Sequence, residues 1–97
     1  MAGPVYQFYM GKATEAWYQL SKEEQDKLMA KVRDCLVQVG GKSILMCNSV
    51  WASEQTQFWG VEEFPDIEAV QKLAQLHEEL NWYRYVDSKT ILGTKWE

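Results

Sequence analysis

One helix constrains the rest of the chain. Ser21-Lys22-Glu23-Glu24 is a capping box, in which the Ser21 hydroxyl accepts an orphan amide of the first turn while Glu24 reaches back. Beyond it Leu28, Val32, Cys35, Leu36 and Val39 recur at helical spacing with Met29 beside them; Lys22, Asp26, Lys31 and Gln38 form the wet side. Gly40-Gly41 supplies the positive φ that ends such a helix. The helix spans residues 21–39, and what flanks it must cover its apolar stripe.

The flanking segments read as strands and a second helix. Val5-Tyr6-Gln7-Phe8-Tyr9-Met10 is short and aromatic, a strand that Gly11-Lys12 ends. Residues 13–20 are a connector carrying Trp17 and Leu20. After the helix, residues 43–51 form a strand, 52–55 turn the chain and 56–64 return, an antiparallel hairpin. Pro65-Asp66 opens a second helix whose stripe is Ile67, Val70, Leu73, Ala74, Leu76 and Leu80. Asn81-Trp82-Tyr83-Arg84-Tyr85 is an aromatic single turn, and residues 86–94 are the last strand. The order is β-α-β-β-α-β: an α+β fold of the ferredoxin-like, split βαβ kind, with two helices on one face of a four-stranded antiparallel sheet.

The 97 residues suffice for one domain, residues 1–97, with 46% hydrophobic and 25% charged residues in the globular range. A net charge of −4 argues against nucleic acid, which requires a basic stripe. No apolar run is long enough for a bilayer, and Met1-Ala2-Gly3-Pro4 lacks the basic and apolar regions of a signal peptide. The expectation is a cytoplasmic protein that binds no membrane, with Cys35 and Cys47 reduced and acting as small buried hydrophobes. One histidine and no Cys pair cannot make an ordinary transition-metal site. There is no Ser-His-Asp order and no Gly-rich phosphate loop. Hydrolase, kinase and metalloenzyme readings are disfavoured, and no cofactor is expected.

The strands carry a further inference. A sheet with one wet face alternates apolar and polar residues. Here the even positions hold Tyr6, Phe8, Met10, Ile44, Met46 and Val50, and the odd ones Val5, Tyr9, Leu45, Cys47 and Trp51. Both faces are largely apolar, yet there is helix enough to cover one. A second copy laid against the open face is the simplest remedy, and a two-fold homodimer its commonest form. The competing explanation is a bare face that docks another protein.

Three stretches carry a family likeness: Ala16-Trp17-Tyr18-Gln19-Leu20-Ser21-Lys22-Glu23-Glu24 entering the first helix, Phe64-Pro65-Asp66 opening the second, and Trp82-Tyr83-Arg84-Tyr85 before the last strand. With the element order, they make the chain resemble small uncharacterised members of the dimeric α+β barrel superfamily, over about residues 4–95. That superfamily includes antibiotic-biosynthesis monooxygenases, muconolactone isomerases and small polyketide cyclases. The resemblance implies sheets paired into a barrel and cofactor-independent chemistry on an aromatic substrate. In the monooxygenases an Asn and a Trp help hold the substrate; Asn48 and Trp51 or Trp59 stand in for them here. Heme-degrading relatives use a histidine on the second helix, where His77 lies, but Gln7 sits where their partner Asn would be, so heme is disfavoured.

The candidate chemistry rests on few residues. His77 lies at the edge of the buried stripe, either pointing into a cavity as a general base or lying on the surface balanced by Glu78 and Glu79. Asn48 and Gln7 are polar residues in apolar strands and need partners, from the protein or from a ligand. Glu62 and Glu63 point to opposite faces, so one looks inward unless the strand frays. An inward carboxylate near Tyr9, Arg84 or His77 is a credible acid or base. Trp82, Tyr83, Arg84 and Tyr85 form either a lid over a planar or acidic ligand or a seal, with Asp87 ready to pair with Arg84. The expected protein binds a small apolar or aromatic metabolite between sheet and helices, with Tyr9, Trp59, Arg84, Trp82 and Tyr85 as ligand contacts and His77 and Asn48 as catalytic candidates. Whether it catalyses a reaction is open. A cofactor-independent monooxygenase, isomerase or cyclase is one alternative, and a structural protein with no small-molecule site is another.

Overall fold

The computed structural model describes residues 3–96, so Met1, Ala2 and Glu97 lie outside it. The elements run β1 (Val5–Ala13), α1 (Glu15–Tyr18), α2 (Lys22–Gln38), β2 (Lys42–Asn48), β3 (Phe58–Phe64), α3 (Ile67–Glu79), a 3-10 turn (Trp82–Arg84) and β4 (Val86–Gly93). The strands form one antiparallel sheet in the order β2-β3-β1-β4. The architecture is α+β. Because β3 is antiparallel to both neighbours, β1 and β2 run the same way with β3 between them. Among the described residues no helix is long and apolar enough to cross a membrane.

Local chemistry sets the helix ends. The Glu24 amide donates to Ser21 Oγ (3.1 Å) and the Ser21 amide to Glu24 Oε1 (2.9 Å), completing the box that starts α2. Gly40, at φ +79°, ends it, with the Gly41 amide donating to the Leu36 carbonyl. Asp66 caps α3 by accepting from the Ala69 amide (2.8 Å). Asn81, at φ 57°, bends the chain out of α3 into the aromatic turn.

The strand bounds differ from the sequence reading most at the end of β1 and around the hairpin loop. β1 does not stop at Gly11-Lys12 but continues to Ala13, because Gly11 pairs with both Phe58 and Ser88 and Ala13 pairs with Val86. Gly11 serves close approach rather than termination: a Cβ there would lie 2.8 Å from Ser88 Cβ. The connector that follows contains the helical turn α1. β2 ends at Asn48 and β3 begins at Phe58, so the hairpin loop is residues 49–57 rather than a four-residue turn. Ser49 accepts from the amides of Ala52 and Ser53, and the Gln57 amide donates across to the Gly11 carbonyl (2.8 Å). Gln57 Oε1 also takes the Ala13 amide while its Nε2 donates to the Tyr18 hydroxyl, tying the loop to β1 and α1.

Fully buried Phe64 marks the helix-covered face, where it meets Cys35, Ala69 and Leu73 from α2 and α3. Leu36, Val39, Val70, Leu76 and Leu80 pack around this cluster. Cys35 is the buried hydrophobe expected, and burial pushes its thiol pKa up; Cys47 is only half-buried, and both thiols are free. Strand alternation then assigns the faces. Phe58, Gly60, Glu62, Val5, Gln7, Tyr9 and Val86 share the side of Phe64. Tyr6, Phe8, Met10, Trp59, Val61 and Ile91 share the uncovered side. Leu45 and Cys47 join them, because an irregularity between Ser43 and Leu45 resets the parity of β2.

Candidate functional site

The helix-covered face is polar in its middle. Gln7 and Glu62 stand opposite each other on β1 and β3, and Tyr9 stands opposite Gly60. All three side chains are half-buried. Desolvation raises the pKa of the Glu62 carboxyl. Burial also raises that of the Tyr9 hydroxyl, and the nearby Glu62 charge adds to the shift. Gly60 makes this arrangement possible: a Cβ there would lie 2.6 Å from Tyr9 Cζ, so the phenol lies across the strand over the glycine. Phe58 flanks the ring, centroids 6.1 Å apart. Among the described residues, no hydrogen bond engages the side chains of Gln7, Tyr9 or Glu62. Every fully buried side-chain nitrogen or oxygen there has a partner, so these free polar groups retain access from outside. On the β4 side Thr90 and Leu92, opposite Tyr9 and Gln7, are exposed and leave the row open.

His77 belongs to a second cluster. Its ring lies 6.1 Å from Tyr83, edge to face, and 6.4 Å from Trp82, which in turn meets Trp17 edge to face at 6.2 Å. The histidine is half-buried, neither a free surface group nor a base facing Glu62, and burial alone pulls its pKa down. The aromatic turn is fixed from below by Thr14, whose hydroxyl donates to the Arg84 carbonyl (2.7 Å) and whose amide donates to the Tyr85 carbonyl (3.0 Å). Arg84 is exposed, and its expected pairing with Asp87 is not made: the ion pairs among the described residues are Lys22–Asp26 and Lys27–Glu23, both on α2. Tyr85 borders an open groove of about 220 Å³ floored by Leu20, Leu28 and Leu80, with Lys27 and Lys31 at its rim.

Asn48 and Trp59 stand elsewhere. Asn48 is not an amide enclosed in an apolar strand. It is the exposed last residue of β2, and its Oδ1 accepts from the Val50 amide (2.9 Å). Trp59 lies on the uncovered face beside Phe8, centroids 6.0 Å apart, across the sheet from Tyr9. The expected residues therefore divide among four places: Tyr9 with Gln7 and Glu62; His77 with Trp82 and the turn carrying Arg84 and Tyr85; Trp59 on the open face; and Asn48 at the hairpin loop. Of the two adjacent glutamates, Glu62 looks toward the helices, and Glu63 on the other face accepts from the Tyr6 hydroxyl (2.7 Å). Sequence reasoning missed Gly60 and Gln57. A glycine inside an aromatic strand was the available signal for the first; nothing local signals the second.

Two solved structures share the fold. One is described as methylated RPA0582 protein, with a TM-score of 0.69 and 15% identity, matched over 100% of this chain and 84% of that one. The other is the RPA0582 protein of unknown function from Rhodopseudomonas palustris, with a TM-score of 0.66 and 15% identity, matched over 100% and 85%. At that identity the likeness concerns fold alone. No curated protein matches the chain. Residues 6–97 match the model of a family of unknown function, DUF6616, and the chain belongs to that family.

Proposed function

We propose that this chain is a ferredoxin-like protomer that pairs sheet to sheet with a second copy, as a dimeric α+β barrel, and binds a small apolar or aromatic molecule between its sheet and helices. The observation that carries the binding reading is the row of Gln7, Tyr9 and Glu62, half-buried on the helix-covered face with no protein partner for their polar atoms. Groups so placed lose part of their hydration without gaining hydrogen bonds from the protein, and a ligand supplies those bonds. The sheet order, read from its other edge as β4-β1-β3-β2, supports the finer fold reading. Phe8, Met10, Trp59 and Val61 on the uncovered face support the dimer.

A second reading, proton transfer to or from the bound molecule, is favoured by one observation. Burial raises the pKa of the Glu62 carboxyl beside Tyr9, the direction that suits a general acid or base. It moves the proposed chemistry from His77 and Asn48 to Glu62. Native mass spectrometry of protein taken from its own source tests the main reading. A dimer carrying a bound small organic mass is the expected result. A bare chain whose Gln7, Tyr9 and Glu62 resonances respond to no small aromatic molecule would overturn it.

A further inference from the structure

The polar row also indicates the charge of what it binds. Glu62 has neutral neighbours on its own face: Gln7 and Ser43 across the strands, and Gly60 and Phe64 two residues away along β3. The ion pairs among the described residues, Lys22–Asp26 and Lys27–Glu23, do not include it. Burial raises the pKa of its carboxyl. A half-buried carboxylate without a cation is costly, and most such groups in folded proteins are paired. Beside it lies one aromatic ring, Tyr9 spread over Gly60, and Phe58, tilted against Tyr9 on the side away from Glu62, continues the aromatic surface. An aromatic floor next to an unpaired carboxylate is the arrangement that holds an organic cation, through charge at one end and cation–π attraction along the stem.

Resting on the ligand-site reading above, we infer that the molecule held between sheet and helices is a small organic amine: its ammonium group lies at Glu62 and Gln7, and its apolar body lies on Tyr9 and Phe58. The ammonium supplies the counter-charge that Glu62 lacks among the described residues and donates to Glu62 and to the Gln7 carbonyl oxygen. An anion is repelled by the same carboxylate. A neutral molecule of the same shape gains only the ring contacts.

Three probes of one shape separate these cases on the intact chain: benzylamine, benzyl alcohol and benzoate, followed by amide and side-chain NMR shifts at Gln7, Tyr9 and Glu62. Benzylamine is expected to bind at least roughly tenfold more tightly than benzyl alcohol, with benzoate weakest. Glu62→Gln should reduce benzylamine to the level of the alcohol. In the wild-type chain, benzylamine should shift the titration of the Glu62 carboxyl carbon to lower pH, a readout independent of any variant. Equal binding of amine and alcohol, or benzylamine binding that survives Glu62→Gln, would overturn the inference and leave the ligand site standing. A chain that shifts with none of the three probes would remove both.

Discussion

The two faces of the central strands β1 and β3 are inverted relative to their cover. Under the helices the central strands carry Gln7, Tyr9 and Glu62, and only the Phe64 end is packed as a hydrophobic core. On the uncovered face they carry Phe8, Met10, Trp59 and Val61, with Ile91 67% and Leu45 48% exposed on the flanking strands. A solitary α+β domain would have it the other way round, apolar residues beneath the helices and polar ones toward water. The difference teaches that helix cover and hydrophobic burial answer to different demands here. A covered face with spare polar groups is suited to a ligand, and a bare apolar face to another apolar surface.

The sharpest way to break the comparison is to empty the one packed part of the covered face. Phe64→Ala removes a fully buried ring from among Cys35, Ala69 and Leu73 and should cost about 3–5 kcal/mol, read as a lowered urea midpoint. A loss below about 1 kcal/mol would mean that the helices are held to the sheet by something else. On the other face, Val61→Lys puts a charge among Phe8, Trp59 and Leu45. It should weaken self-association by roughly 100-fold in sedimentation while leaving the circular dichroism of the chain intact. Unchanged association would separate the apolar face from any pairing.

Smaller changes test the polar row. Gly60→Ala sets a methyl group against the Tyr9 ring and the Leu45 carbonyl and should cost about 1–3 kcal/mol, with loss of the Tyr9–Phe58 contact in NMR. A stable variant that keeps that contact would show that Gly60 does not set the Tyr9 pose. The two shifted groups leave opposite signatures in stability against pH. Glu62 has a raised pKa, so its contribution is fully present below the ordinary carboxylate value of 4.5 and is lost as pH rises through its folded value. Glu62→Gln should therefore be more stable than wild type at pH near 7 and level with it at about pH 4. His77 has a lowered pKa, so the chain keeps that contribution above the ordinary value of 6.5 and loses it as pH falls through the folded one. His77→Gln should flatten the loss as pH falls below the ordinary value of 6.5 in urea titrations. A wild-type profile unchanged by either substitution would contradict the burial assigned to that group.

What the residues disclosed beforehand was local. The Ser21 and Asp66 caps, the Gly40 stop and the single aromatic turn each depend on a few neighbouring positions and stand where expected. The failed alternation of the first two strands was equally legible, because it needs only parity. Which parity the helices cover was not, since it depends on Phe64 meeting Cys35 and Leu73 across the fold. For that reason the sequence groups Tyr9 and Trp59 as contacts of one ligand, although they lie on opposite faces. Gly11 looks like a terminator in the sequence because its role depends on Ser88, distant along the chain. The length of the hairpin loop escaped for the same reason: Gln57 is held by Gly11 and Ala13 rather than by its own neighbours. Asn48 was assigned a buried need for a partner that the Val50 amide satisfies at the surface.

Sedimentation equilibrium of the wild-type chain over a wide concentration range tests the central claim most directly, because the inversion makes sense only if the bare face is covered. The account predicts a mass twice the 11.3 kDa of the chain, persisting into the low micromolar range. A stable species of 11.3 kDa throughout, soluble and folded, would contradict it.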